Sequence, residues 1–173
     1  IFGGFVEMNP GQREDGADAH AVPLLGETEW DVRVVVAIVG GGVAKTTSSR
    51  DGMQHTAATS PMYPAFLATV PADLGCAREA VLSRNLDLLG EVAERSALSL
   101  HASALAARPG VIYWRGATVE ALHAVRALRA SGVAAWATID AGPHVKVLCR
   151  PDDAATVAAA LGAVPGVTAT LTC

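Results

Sequence analysis

Two short segments carry side chains that could do chemistry. Lys45, Ser48, Ser49 and Arg50 set two cations and two hydroxyls close together in the chain. A guanidinium fork and an ammonium supply charge, and hydroxyls donate hydrogen bonds, so the set suits a phosphate or diphosphate. The same residue types also make an ordinary polar loop, and both readings stay open on composition. Ninety residues after Arg50, Asp140 opens the run Asp140-Ala141-Gly142-Pro143 between two apolar stretches. A carboxylate fixed at a strand end suits a general base. Asp, Gly and Pro equally spell a plain turn.

Other features invite chemistry and do not sustain it. Gly40-Gly41-Gly42-Val43-Ala44-Lys45-Thr46-Thr47 follows an apolar run, as a phosphate-binding P-loop must. That motif needs glycine immediately before the lysine and again five residues earlier. Here those places hold Ala44 and Val39, and a Cβ at 44 obstructs the amide cradle. His101 lies beside the apolar stripe of a helix and reads as a packed, hydrogen-bonded histidine. No His, Cys or carboxylate stands at metal-ligand spacing from it, so no metal site is expected. Cys76, Cys149 and Cys173 form neither a CxxC pair nor a disulfide framework, which fits a reducing, cytoplasmic compartment.

The elements that must position these residues follow from periodicity and punctuation. A short strand is expected over 5–8, then an exposed Gly/Asp/Glu/Pro-rich connection from Asn9 to Glu29. Val32 to Val39 is β-branched and almost continuously apolar, the pattern of a strand buried on both faces. Lys45 to Thr59 reads as a loop running into a helix start. Ser60-Pro61 supplies a hydroxyl cap and a first-turn proline, with helices over about 61–70 and 72–84. Leu86, Leu89, Ala93, Ala97, Leu100 and Ala104 recur at spacings of three and four, the stripe of a long helix ended by Arg108-Pro109-Gly110. Val119, Leu122, Val125 and Leu128 repeat the pattern. Strands at 136–139 and 145–149, a helix from Pro151 to about Leu161 and a strand at 167–171 complete the chain. Helices grouped between strands predict an α+β layer, a mainly antiparallel sheet covered by helices.

Composition narrows the function classes. Thirteen Lys and Arg against 17 Asp and Glu give a net charge of -4, which argues against nucleic acid or an anionic membrane as partner. No run approaches the eighteen apolar residues of a transmembrane helix. At 173 residues the length fits a single domain, 1–30 being an opening strand and exposed connection and 31–173 the core.

Taken together, four blocks resemble the mevalonate diphosphate decarboxylases of the GHMP (sugar and mevalonate) kinase superfamily. They are Ile1-Phe2-Gly3-Gly4-Phe5-Val6-Glu7; Lys45 through Ser48-Ser49-Arg50-Asp51-Gly52-Met53 to Thr59-Ser60; His101-Ala102-Ser103; and Ile139-Asp140-Ala141-Gly142-Pro143-His144-Val145-Lys146-Val147. Their order and spacing match from residue 1 to about 161. The Ser-Ser-x-x-Gly-Met and Asp-Ala-Gly-Pro pair is the specific part.

The resemblance implies the fold of that superfamily's carboxy-terminal domain and ATP-dependent chemistry, with Mg2+, on (R)-5-diphosphomevalonate. The tertiary hydroxyl is phosphorylated, phosphate leaves, and carboxylate departs as CO2 to give isopentenyl diphosphate. Carried over by motif, Asp140 is the catalytic carboxylate. Ser48, Ser49, Arg50 and Met53 line the substrate pocket, the backbone amide of Ala141 lies near the same ligand, and Lys45 is a phosphate-side cation. The family's usual Asn after Asp-Ala-Gly-Pro is here His144, and a common double lysine is reduced to Lys45-Thr46. The family's ATP-binding loop and an Arg before the Phe-Gly-Gly-Phe block belong to an amino-terminal half. The chain opens with Ile1 and holds neither, so that half is an expected partner and the isolated chain is expected not to turn over. A homodimer through a sheet edge or the Asn9–Glu29 face is compatible with the pattern. Two other readings compete: a sister mevalonate-family kinase or phosphomevalonate decarboxylase, and a non-catalytic α+β module that binds a phosphorylated metabolite.

Overall fold

A computed structural model describes residues 3–9, 11–40 and 48–173. Its strands are β1 (Phe5–Asn9), β2 (His20–Leu25), β3 (Arg33–Val39), β4 (Ala135–Thr138), β5 (Val145–Cys149) and β6 (Val167–Thr172). Its helices are α1 (Ser49–Thr59), α2 (Tyr63–Leu82), α3 (Leu86–Leu105), α4 (Gly116–Ala130) and α5 (Ala154–Gly162), the last entered through a 3-10 turn at Pro151–Asp153. Four strands form one sheet in the order β4-β5-β3-β6, every pair antiparallel, and β1-β2 form a separate ribbon. This is the expected α+β architecture.

Alternation along β3 sets the layers. Val35, Ala37 and Val39 are buried, while Val34, Val36 and Ile38 are only half-buried. With side chains alternating at period two, one face is roofed completely and the other in part. The expectation of burial on both faces is therefore corrected. Under the roof, Val35, Ala37, Val145, Val147 and Cys149 pack with Val125 of α4 and Val157 and Leu161 of α5. On the other face, Trp136 packs with Leu86 of α3 and with Leu148.

Strand β4 is a sheet edge, and its unpaired groups are covered. The Glu94 carboxylate accepts from the Ala137 N–H at 3.2 Å, and Arg129 donates to the Ala135 carbonyl at 2.9 Å. Arg129 in turn grips Glu94 through two hydrogen bonds of 3.0 Å. An ion pair placed there blocks another strand from docking.

Four further expectations need correction. His20–Leu25 is a strand within the stretch read as exposed connection; Pro23 disguises it, tolerable because a two-stranded ribbon has open edges. Helix α1 already runs from Ser49 where a loop was expected, because Ser48 caps it. Ser60 ends α1 rather than starting the next helix, although its hydroxyl does accept from the Met62 N–H at 3.2 Å. Helix α2 continues through Pro71 instead of breaking there. Pro71 and Leu67, whose carbonyl it orphans, are exposed to water, and packing on α3, including Arg95 to Asp73 at 2.6 Å, carries the helix through. The ribbon is tied down by Phe5 stacked on Trp30 at 5.0 Å and by buried Glu7, which accepts from Arg78 at 2.6 Å.

Candidate functional site

Antiparallel pairing of β4, β5 and β3 puts the β4–β5 turn and the end of β3 at the same end of the sheet. The turn after Ile139 and the segment leading to Ser49 thus come from neighbouring strands. The junction is closed directly: the Val39 N–H donates to Nδ1 of His144 at 3.1 Å. An asparagine side-chain carbonyl, the group that the family resemblance implies at this position, could accept the same bond.

The turn carrying Asp140 is held from several sides. The Gly142 N–H returns to the Asp140 carbonyl at 2.6 Å. The hydroxyl of Thr118, fully buried in the first turn of α4, donates to the Pro143 carbonyl at 2.8 Å and accepts from the Arg115 N–H at 3.1 Å. On the open face of the sheet, Nζ of Lys146 donates to Oδ2 of Asp140. The Asp140 side chain is 81% exposed and that of Lys146 32%. Ala141 is half-buried within the same turn.

Behind the turn lies His101, 2% exposed. Its ring packs against Trp114 at 5.0 Å and edge-on to Tyr113 at 5.8 Å. Burial pushes the imidazole below its ordinary pKa, opposed by the backbone at Ile139 and Asp140 and by the Asp140 charge. His101 is packed as expected, but its Nε2 makes no hydrogen bond. Among the described residues no group of three or more His, Cys, Asp or Glu could hold a metal ion.

The second segment begins α1. Oγ of Ser48 accepts from the Asp51 N–H at 3.1 Å and donates to the Asp51 carboxylate at 2.7 Å, so this hydroxyl serves as a helix cap. Ser49 and Arg50 follow, both exposed, with Met53 half-buried one turn on. Arg50 has no ionic partner among the described residues. Its guanidinium and the first-turn amides of Ser49 and Arg50 offer positive potential to an anion. The far end of α1 is fixed to the chain beyond α3, with His55 Nε2 2.9 Å from the Pro109 carbonyl and the Arg108 N–H donating to Thr59 Oγ1 at 3.0 Å.

The structure thus groups Asp140 and Ala141 in one pinned turn and Ser48, Ser49, Arg50 and Met53 on one helix, each anchored near the C-terminal half of α3. Lys45 lies outside the described residues. Lys146, Thr118 and the Val39–His144 bond were missed as parts of the site. Only Lys146 left a trace in the sequence, a cation inside the apolar strand Val145–Cys149 six residues after the carboxylate. A separate open cavity of about 730 Å³ runs along α3, lined by Glu94, Arg95, Arg129 and Trp136. Both of its arginines are already paired with carboxylates.

Comparisons with known proteins give a consistent result. Residues 34–171 match the family described as "Mevalonate 5-diphosphate decarboxylase C-terminal domain". A diphosphomevalonate decarboxylase of Gibberella zeae is 30% identical over 158 residues, covering 89% of this chain and 41% of that protein. Among solved structures, a mevalonate diphosphate decarboxylase from Staphylococcus aureus superposes with a TM-score of 0.89 at 28% identity, over 99% of this chain and 51% of that one. Another, described as "MDDEF in complex with MVAPP, AMPPCP and Magnesium", gives 0.87 at 31% identity, over 99% and 52%. The chain therefore spans about half or less of the length of the proteins it matches.

Proposed function

The chain belongs to the family of mevalonate 5-diphosphate decarboxylase C-terminal domains, and we propose that it is the carboxy-terminal part of an ATP-dependent decarboxylase. The substrate is (R)-5-diphosphomevalonate and the product isopentenyl diphosphate. In this reading residues 1–173 form a single carboxy-terminal-type domain, and an amino-terminal half supplies the nucleotide-binding loop. The three free thiols, Cys76, Cys149 and Cys173, favour a reducing, cytoplasmic setting. Among the described residues no helix is long and apolar enough to cross a membrane.

The observation that carries the reading is the Asp140 turn, pinned by Thr118, His144 and Lys146 at the sheet end from which the chain leads to Ser49 and Arg50. Asp140 accepts the hydrogen of the substrate's tertiary hydroxyl and holds that oxygen in place. Ser49, Arg50 and the first-turn amides of α1 bind phosphoryl oxygens, with Lys45 as a further cation. Met53 walls the pocket, and Ala141 turns its main chain toward the ligand. These groups fit phosphoryl oxygens of ATP as well as of the substrate. Bound with Mg2+, ATP supplies the phosphoryl group that makes the hydroxyl a leaving group. Preorganised charge, rather than covalent help, is what such chemistry asks of the protein.

The test is Asp140→Asn in the protein completed with its amino-terminal half, which keeps shape but removes charge. Turnover is expected to fall roughly 10²–10⁴-fold, with substrate affinity little changed. The 173-residue chain alone is expected to release neither phosphate nor CO2. Turnover by the isolated chain, or an Asp140→Asn enzyme near wild type, would falsify the reading.

A further inference from the structure

We infer that Lys146 is a positioning residue for Asp140, an inference that rests on the catalytic role proposed above. In the sheet Lys146 is paired with Thr138 on β4 and with Val36 on β3. All three are half-buried on the same, partly open face. Neighbours on both sides brace the aliphatic stem, so little rotamer freedom remains to be lost when the ammonium engages. Asp140 lies only two residues beyond Thr138, at the place where the tight Gly142-to-Asp140 turn begins. The ammonium therefore meets the carboxylate as a consequence of strand pairing. A slip of one residue would carry Lys146 to the roofed face among Val145 and Val147.

An exposed ion pair contributes little to stability, because water screens it. Stability is therefore not what this pair offers. The Asp140 side chain is exposed and, left alone, would be free to sample its rotamers. Among the described residues Lys146 is the cation that meets it. One carboxylate oxygen is held by the ammonium, which leaves Oδ1 to face the substrate hydroxyl in a fixed direction. Of the other titratable groups near the turn, His144 accepts from the Val39 N–H, and His101 is buried behind the turn against Tyr113 and Trp114. Orientation of this kind is expressed in turnover, since misplacing a reacting group by about 1 Å can cost on the order of 10²-fold.

The experiment is a double-mutant cycle in the completed enzyme, with steady-state kinetics and substrate affinity measured separately. Lys146→Met is expected to lower kcat about 10–100-fold while leaving substrate affinity within about threefold. Lys146→Arg, which can still reach the carboxylate, is expected to restore most of the loss. In an Asp140→Asn background, Lys146→Met should add less than about threefold, because the residue acts through the carboxylate. Lys146→Gln is carried in parallel, and thermal unfolding verifies that each variant folds. Three outcomes would overturn the inference while Asp140→Asn stays crippled: a Lys146→Met enzyme near wild type, full additivity in the cycle, or a loss confined to substrate affinity. The last would make Lys146 a phosphate ligand instead. An Asp140→Asn enzyme near wild type overturns the functional reading itself, and the positioning role with it.

Discussion

Replacing Gly90 by alanine sets local propensity against tertiary packing, and the structure decides which prevails. Gly90 lies inside α3, where alanine is preferred by about 1 kcal/mol. A Cβ at residue 90, however, would lie 2.1 Å from Cγ of Trp136, 2.2 Å from Cδ2 and 2.7 Å from Cβ. Carbon atoms pack best at about 3.5–4.0 Å, so the indole must retreat by more than ~1 Å. It has little room. Trp136 is 5% exposed, β4 is paired along its length with β5, and the Arg129 guanidinium lies 5.9 Å from the ring centroid. Overpacking costs about 1–3 kcal/mol, and so short a contact belongs at the upper end of that range. Setting ~3 kcal/mol of strain against ~1 kcal/mol of helix gain leaves a net destabilisation of about 2 kcal/mol. For a unit of this length that is a fall of roughly 4–8 °C in Tm. Equilibrium unfolding followed by tryptophan fluorescence and far-ultraviolet circular dichroism measures it. A Gly90→Ala protein as stable as wild type would show that the helix and sheet are not in the close contact described.

Two further predictions concern charge and thiol chemistry. Burial opposes the charge on Glu94, yet the Arg129 hydrogen bonds, the Ala137 N–H and the Arg129 and Arg126 charges together hold its pKa below the ordinary 4.5. The stability this contributes is present above pH 4.5 and lost as pH falls through the lowered folded value. Glu94→Gln should thus cost about 1–2 kcal/mol near pH 7, and urea melts should show the gap to wild type closing in acid; a gap independent of pH would contradict the assignment. Burial pushes the Cys149 thiol up to about 11, and the side chain is fully enclosed. Alkylation of the native protein followed by peptide mapping should label exposed Cys173 and spare Cys149 until the protein unfolds; rapid labelling of Cys149 would mean that the roofed face opens.

Much of this molecule was legible as a string. Periodicity and punctuation located α3, α4, α5 and β4 to β6 within a few residues; the helices and β5 are legible because each sets an apolar stripe or alternation against the core. The family motif singled out Asp140 and Ser49–Arg50 because those residues are defined by type and local order. Elements governed by neighbours were misread. Pro23 and Pro71 look like breaks, but an open ribbon edge and a solvent-facing helix side absorb the missing donors. Ser48 reads as a ligand-binding hydroxyl, and only the helix that begins behind it turns that oxygen into a cap.

What the tertiary structure alone decided is how the site is held. Thr118 reaches Pro143 across 25 residues, His144 reaches Val39 across 105, and Lys146 meets Asp140 only because β5 pairs with β4 in one register. Gly90 is readable as a weak point in a helix, but not as the gap that admits Trp136. Local sequence encodes backbone preference and the side chains available. Which polar atom finds which partner depends on strand register and helix docking, and these are set by burial summed over the whole core.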